Sequence, residues 1–278
     1  MSIAGGYYRA VEAASAAGCD CVQLFSKNNS QWKASPILPA QADQFRQTLA
    51  DRRITHPLVH TSYLINLASP DEALWHRSVD AMAVELQRAE QLGIPDVVCH
   101  PGAYVDSSEE RGLERIIAAL RVVRRQMDGK RVRCLLETTA GQGTCLGHRF
   151  EQLAWILDQT SEPEWLGVCL DTCHIFAAGY SMTTQRQYRQ MIKQLDETVG
   201  LRNVKAIHLT DSLKPCGSRK DRHEHIGHGQ IGLEPFRWLL NDRRFRHVPM
   251  YLETPKGTHH DRTWDEINLE TLRGLIKT

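Results

Sequence analysis

The sequence predicts an α/β fold, a parallel (β/α)8 barrel built as one domain, and three observations carry that prediction. Short apolar runs recur about every forty residues, the repeat of a strand–helix unit. They are CDCVQLF (19–25), HPLVHTS (56–62), DVVCHPG (96–102), RVRCLLETT (131–139), LGVCLDTCH (166–174), VKAIHLTD (204–211) and PMYLETP (249–255). The runs are apolar on both faces, as parallel strands covered by helices must be. Finally, 278 residues is the length of one such barrel, and no low-complexity segment or linker divides the chain.

The chain opens on a turn, AGG, and a helix over Tyr8–Ala17. Seven runs are visible and a closed barrel needs eight strands, so the first strand is expected before Met1. The clearest helix is Ser69–Gly93. Ser69 is its expected N-cap, Pro70 fills the first turn, and Asp71 and Glu72 sit near the positive end of the dipole. Its apolar stripe is Trp75, Val79, Met82, Leu86 and Ala89, and Gly93 then Pro95 stop it. A second helix, Ser108–Met127, presents Leu113, Ile116, Leu120 and Val123. Trp264–Ile276 reads as a closing helix.

Composition limits the partners. Lys plus Arg is 34 against 33 for Asp plus Glu, so no overall positive charge advertises nucleic acid. A nucleic-acid enzyme of this charge needs a local basic groove or bound cations. The N-terminus has no apolar signal core, and nothing approaches the roughly 18 apolar residues of a membrane span. Most of the cysteines lie inside apolar runs, where a reduced thiol behaves as a small hydrophobe; a cytoplasmic protein with free thiols is expected.

Polar residues gather where the strands end, the edge at which parallel barrels place active sites. The runs close on His60, on His100, on Glu137, on Asp171 with His174, on His208 with Asp211, and on Glu253; KDRHEH adds Asp221 and His223. Any one of these is ordinarily a helix cap or a satisfied core histidine. Recurrence at six strand ends is different, because burying so many carboxylates and imidazoles costs several kcal/mol per group unless cations neutralise them. Imidazole with carboxylate suits zinc or manganese. The donors exceed one ion's needs, which implies two or three, and ions about 3.5–4 Å apart commonly serve phosphate-ester hydrolysis.

These stretches carry a resemblance. HTSYLINLASP (60–70), HPGAY (100–104), LETTAGQG (136–143), CLDTCHIFAAGY (169–180), HLTDS (208–212), GSRKDRHEHIGHGQIG (217–232) and LETP (252–255) resemble, in order, the endonuclease IV family. That family comprises trinuclear-zinc AP endonucleases of base-excision repair. The resemblance implies a single xylose-isomerase-like TIM barrel over 1–278. It also implies three Zn2+ ions, with Mn2+ or Fe2+ able to replace one or more. His60 and His100 would hold the first, with Glu137, the catalytic residue, bridging to the second. Asp171, His208 and Glu253 would complete the second, and His174, Asp221 and His223 would hold the third. Cys169 and Cys173, which flank Asp171 in the same run, are then packing residues on a strand face.

The implied reaction is hydrolysis 5′ to an abasic site in double-stranded DNA, leaving a 3′-hydroxyl and a 5′-deoxyribose phosphate. A monomer is the default expectation, with no obligate protein partner evident and no membrane association. Tyr63 and Leu64 match family residues that enter the bent duplex; the alternative is that they cap the strand-end core. Lys27, Asn28 and Trp32 match the family's first DNA-contacting loop. Relatives often carry an arginine where this chain has Ser30, which either leaves the wedge weaker or moves the role to Lys33. Arg219, Lys220 and Arg222 are charged loop residues with two readings, contact with phosphates or simple solvation. Thr138 stands where an asparagine is common, and Thr210 is a similar change. Two alternatives stay open: a divalent-metal sugar isomerase or epimerase on the same barrel, and a DNA-binding protein without turnover.

Overall fold

In a computed structural model, which describes residues 1–160 and 164–277, the seven apolar runs form strands with helices between them. The strands are β1 (Cys21–Phe25), β2 (Thr55–His60), β3 (Asp96–Cys99), β4 (Arg133–Glu137), β5 (Leu166–Asp171), β6 (Val204–Leu209) and β7 (Met250–Leu252). The helices are α1 (Tyr7–Ala16), α2 (Pro39–Arg52), α3 (Glu72–Leu92), α4 (Glu109–Gln126), α5 (Phe150–Thr160), α6 (Thr172–Ala178), α7 (Gln185–Thr198), α8 (Leu233–Leu240) and α9 (Trp264–Leu275). The chain forms two compact units. One comprises Met1–Glu137 with Trp155–Gly167, the other Thr138–Ala154 with Val168–Thr278.

In the first unit β1, β2, β3 and β4 pair in chain order, all parallel. Sequential parallel pairing is what strand–helix crossovers of this length produce. The register sets Phe25 beside His60, His60 beside Val98 and Cys99 beside Leu136, so the strand ends finish level. In the second unit β5, β6 and β7 pair in the same way, with Asp171 beside His208 and Leu209 beside Leu252. Every residue of β3 and of β5 is buried, which agrees with runs that are apolar on both faces.

Helix α3 buries Val79, Met82, Leu86 and Ala89 of the expected apolar stripe, while Trp75 at its start is half-buried. Its cap differs from expectation. Asp71 accepts the Leu74 N–H at 2.7 Å, while the Ser69 hydroxyl accepts the Asp71 N–H, so Asp71 is the N-cap. The helix therefore starts two residues after Pro70. Helix α4 is capped by Ser108 through the Arg111 N–H, and α9 by Thr263 in a capping box with Glu266. All eight cysteines are free thiols; Cys99, Cys134, Cys169 and Cys173 are buried. Among the described helices none is long and apolar enough to cross a membrane.

Candidate metal centre

In the first unit, His60 ends β2, His100 follows β3 and Glu137 ends β4. Their ligand atoms lie within 4.8 Å of one another. His60 Nδ1 is 2.8 Å from the Thr61 carbonyl, an acceptor only, so Nδ1 carries the proton and Nε2 presents its lone pair. That lone pair faces Glu137 Oε2 at 3.0 Å, and His100 Nε2 approaches the same oxygen at 3.1 Å. Glu137 is fully buried.

The second unit repeats this design twice. His174 Nδ1 donates to the Thr138 carbonyl (2.8 Å), and His223 Nδ1 donates to the Glu253 carbonyl (2.6 Å). Their Nε2 atoms then face each other at 3.4 Å, with the Asp221 carboxylate 3.2 Å from one and 3.1 Å from the other. Alongside, His208 Nδ1 lies 2.5 Å from Glu253 Oε2 and 3.8 Å from Asp171 Oδ2. Asp171 is also the N-cap of α6, its Oδ1 accepting the His174 N–H at 2.7 Å. One carboxylate thus joins the end of β5 to the helix that carries the next histidine.

Lone pairs aimed at lone pairs and at carboxylate oxygens repel unless a proton or a metal cation lies among them. This donor set fits divalent ions: oriented neutral imidazoles, carboxylates and buried surroundings. Electrostatics point the same way. Burial opposes charge on Asp221, yet hydrogen bonds to His174 and His223 outweigh it and hold the carboxyl well below the usual range. Burial likewise lowers His223, but Asp221 and then Asp171 and Glu253 push it up to about 9. The pocket demands positive charge.

The thiols do not supply it. Cys169 is packed within β5, as expected. Cys173 is not on the strand but in the first turn of α6, because the chain turns into helix directly after Asp171. Its Sγ comes near Asp221 and His223 and donates to the Arg222 carbonyl at 3.6 Å. Burial, then the Asp171 charge, pushes this thiol up to about 12, so it stays protonated.

Asp211, grouped by sequence with the strand-end donors, has a different task. Its carboxylate accepts the N–H groups of Ser212 (2.7 Å), Ile231 (2.8 Å), Gly227 (3.0 Å) and Gly232 (3.2 Å). It anchors the loop that follows His223. Gly229 is part of the fit, since a Cβ there would collide with Ser212 O and the Asp211 carboxylate. Thr138 stands out in the sequence only as a departure from the family pattern. Its hydroxyl accepts the Asp171 N–H at 2.9 Å while its carbonyl holds His174, so it orients two donors.

The expected DNA-contacting residues divide into two sets. Tyr63 is exposed, its ring edge-on to Phe25 (5.5 Å) and tilted against His60 (5.8 Å), and Leu64 is half-buried. Asn28 and Lys33 are exposed, Asn28 capping its own turn at Ser30. Trp32 is half-buried under the Arg77 guanidinium at 4.3 Å. Arg219, Lys220 and Arg222 are exposed. Lys27 is the correction: it is buried, 3.4 Å from Glu85, and donates to the Gln31 carbonyl, so its charge is used inside the protein. Charge on an apolar helix face is hard to distinguish from solvated charge by sequence, and Glu85 gave no signal.

Comparison with known proteins agrees with the geometry. Residues 11–275 match the family model described as xylose isomerase-like TIM barrel. The chain is 49% identical over 278 residues to the probable endonuclease 4 of Chloroflexus aurantiacus, covering 100% of this chain and 96% of that one. It is 45% identical over 275 residues to the probable endonuclease 4 of Trichlorobacter lovleyi, covering 99% and 97%. Among solved structures, endonuclease IV from Thermus thermophilus superposes with a TM-score of 0.86 at 37% identity, covering 99% of this chain and 96% of that one. The chain therefore has the xylose isomerase-like TIM barrel fold and belongs to the endonuclease IV family.

Proposed function

We propose that this chain is a metal-dependent AP endonuclease that hydrolyses the phosphodiester 5′ to an abasic site in double-stranded DNA, leaving a 3′-hydroxyl and a 5′-deoxyribose phosphate. The observation that carries the reading is the group of His174, Asp221 and His223 beside Asp171. A sugar isomerase is served by about four donors of the kind found at Glu137, Asp171, His208 and Glu253, and has no use for a further set. The family relationship supports the same conclusion.

We assign His60 and His100 to one Zn2+, Glu137 as its bridge to a second, Asp171, His208 and Glu253 to the second, and His174, Asp221 and His223 to the third. Mn2+ or Fe2+ suits the same donors. When bound, such ions supply Lewis-acid stabilisation of phosphoryl charge and activation of water. The chain's own residues do the rest. Thr61, Thr138 and Glu253 fix three imidazole tautomers through their carbonyls, so that no reorientation is needed on substrate binding. We assign Tyr63, whose ring packs edge-on to Phe25, and Leu64 to fill the gap where a base is missing. An abasic nucleotide has no base to unstack, so extruding it costs little. Asn28, Trp32, Lys33, Arg219 and Arg222 are assigned to DNA contacts. With a formal net charge of only +1, bound cations carry much of the attraction to DNA.

The test is incubation of the purified chain with a duplex carrying one tetrahydrofuran abasic analogue. A single nick leaving a 3′ end that a polymerase extends is the expected result. Binding without a nick would favour a DNA-binding protein without turnover. Neither binding nor nicking would return the choice to the sugar enzymes.

A further inference from the structure

Helix α3 carries two charged residues on its buried side, Glu85 (1% exposed) and Arg88 (7%). Buried charges disfavour folding unless they are paired and hydrogen-bonded throughout. Glu85 Oε2 accepts from the Ser26 hydroxyl at 2.5 Å. Its Oε1 accepts from the Ser62 N–H at 3.3 Å and lies 3.4 Å from Lys27 Nζ. Lys27 donates onward to the Gln31 carbonyl at 2.6 Å. Arg88 donates through Nε to the Ser26 hydroxyl (3.1 Å), through Nη2 to the Ser26 carbonyl and Tyr7 hydroxyl (2.7 Å each), and through Nη1 to the Ser35 carbonyl (2.7 Å). A last bond joins the two loops directly, from the Ser62 hydroxyl to the Asn29 carbonyl at 2.5 Å.

Every group in this network belongs to the first unit. Its effect is geometric. Residues 26–35 follow β1 and residues 61–65 follow β2; neither stretch is helix or strand, and both hang from one turn of α3. Trp32 rides on the first and exposed Tyr63 on the second. Arg77 of the same helix covers the Trp32 ring. An apolar residue at 85 would cover the sheet without desolvating a charge. What the charges add is direction, since the bonds end on backbone atoms and short side chains of the two loops.

We propose that Glu85 and Arg88 are positioning residues that lock segments 26–35 and 61–65 into one surface, fixing Trp32 and Tyr63 relative to the His60, His100 and Glu137 group. What that surface meets rests on the AP-endonuclease reading above; the locking itself does not. Four proteins test it: the wild type, Glu85→Gln, Ser62→Ala and the double variant Lys27→Met/Glu85→Gln. The double variant keeps the net charge of the buried cluster, so it folds even if the single Glu85→Gln change leaves too much uncompensated positive charge.

Amide hydrogen exchange is measured on each, with Kd for the tetrahydrofuran duplex, metal content and single-turnover incision at saturating DNA. In Glu85→Gln and the double variant, both segments are expected to lose protection together. Kd should rise about tenfold, while metal content is kept and the saturating rate moves by less than about threefold. Ser62→Ala should shift the same readouts the same way by less. Unchanged protection and Kd in the double variant would overturn the proposal, as would a loss of protection spread evenly through the unit. If the wild type neither binds nor nicks the duplex, the functional reading fails, and the exchange comparison still decides the locking.

Discussion

Thr138 orients two donors at once, one through its hydroxyl and one through its carbonyl. Thr138→Val keeps the carbonyl and the volume but leaves the buried Asp171 N–H without its acceptor. We expect about a 10–100-fold loss in metal affinity or incision rate, read from metal retained after dialysis and from nicking of abasic duplex; unchanged values would contradict the assignment. Tyr63 makes the opposite case. The residue is 62% exposed, so Tyr63→Ala should change stability by less than about 0.5 kcal/mol. The same change should weaken abasic-duplex binding by roughly 1–3 kcal/mol, measured by fluorescence anisotropy. At this scale the sequence is most legible where chemistry restricts the choice. Asp171 and His174 stand out from Cys169 and Cys173 because imidazole and carboxylate recur at the other strand ends, and the family resemblance then assigns them the ligand role. Lys27 misleads because a lysine in a polar loop looks solvated, and its partner Glu85 lies 58 positions away.

At the level of elements, the helices are legible from their periodicity and their ends less so. Ser69 and Asp71 are both good caps, and only the observed bonds show that the serine serves the turn before the helix. Asp211 is more instructive. A carboxylate at a strand end looks the same in sequence whether it awaits a cation or four N–H groups, and the groups that claim it come from residues 212–232. Asp211→Ala should therefore cost about 3–5 kcal/mol in urea unfolding, since it strands buried donors. A second carboxylate, Asp242, ties α7 to the turn after α8 through the Tyr188 hydroxyl (2.9 Å) and the Arg244 guanidinium (2.6 Å). Burial raises it, but the bonds to Arg244 and Tyr188 prevail and leave it below the usual carboxylate range. It ionises more readily folded than unfolded. Its contribution is thus complete above the unfolded value near 4 and fades as pH falls through the lower folded value. Asp242→Asn should lower stability by a constant amount from pH 7 down to about pH 4.5, with the gap narrowing below that. A gap that widens in acid would contradict the pairing.

Across the whole molecule, sequence carries the fold class because strand–helix alternation and buried parallel strands leave few alternatives. It carries the donors because strand ends are where such folds gather them. It cannot carry the network beneath the loops at 26–35 and 61–65. Glu85 and Arg88 flank the apolar stripe of α3, where charge ordinarily marks the solvent side, and long-range bonds alone reveal their use. Cations are central at this scale too. Chelation should lower the melting temperature, because an ion bound at about 1,000 times its Kd contributes about 4 kcal/mol to the folded state. The most direct test is to count metal by elemental analysis on the same freshly purified protein that is assayed on abasic duplex. Three divalent ions per chain and a nick on the 5′ side of the lesion are the expected result. One ion per chain, or a fully loaded protein that leaves the duplex intact, would contradict it.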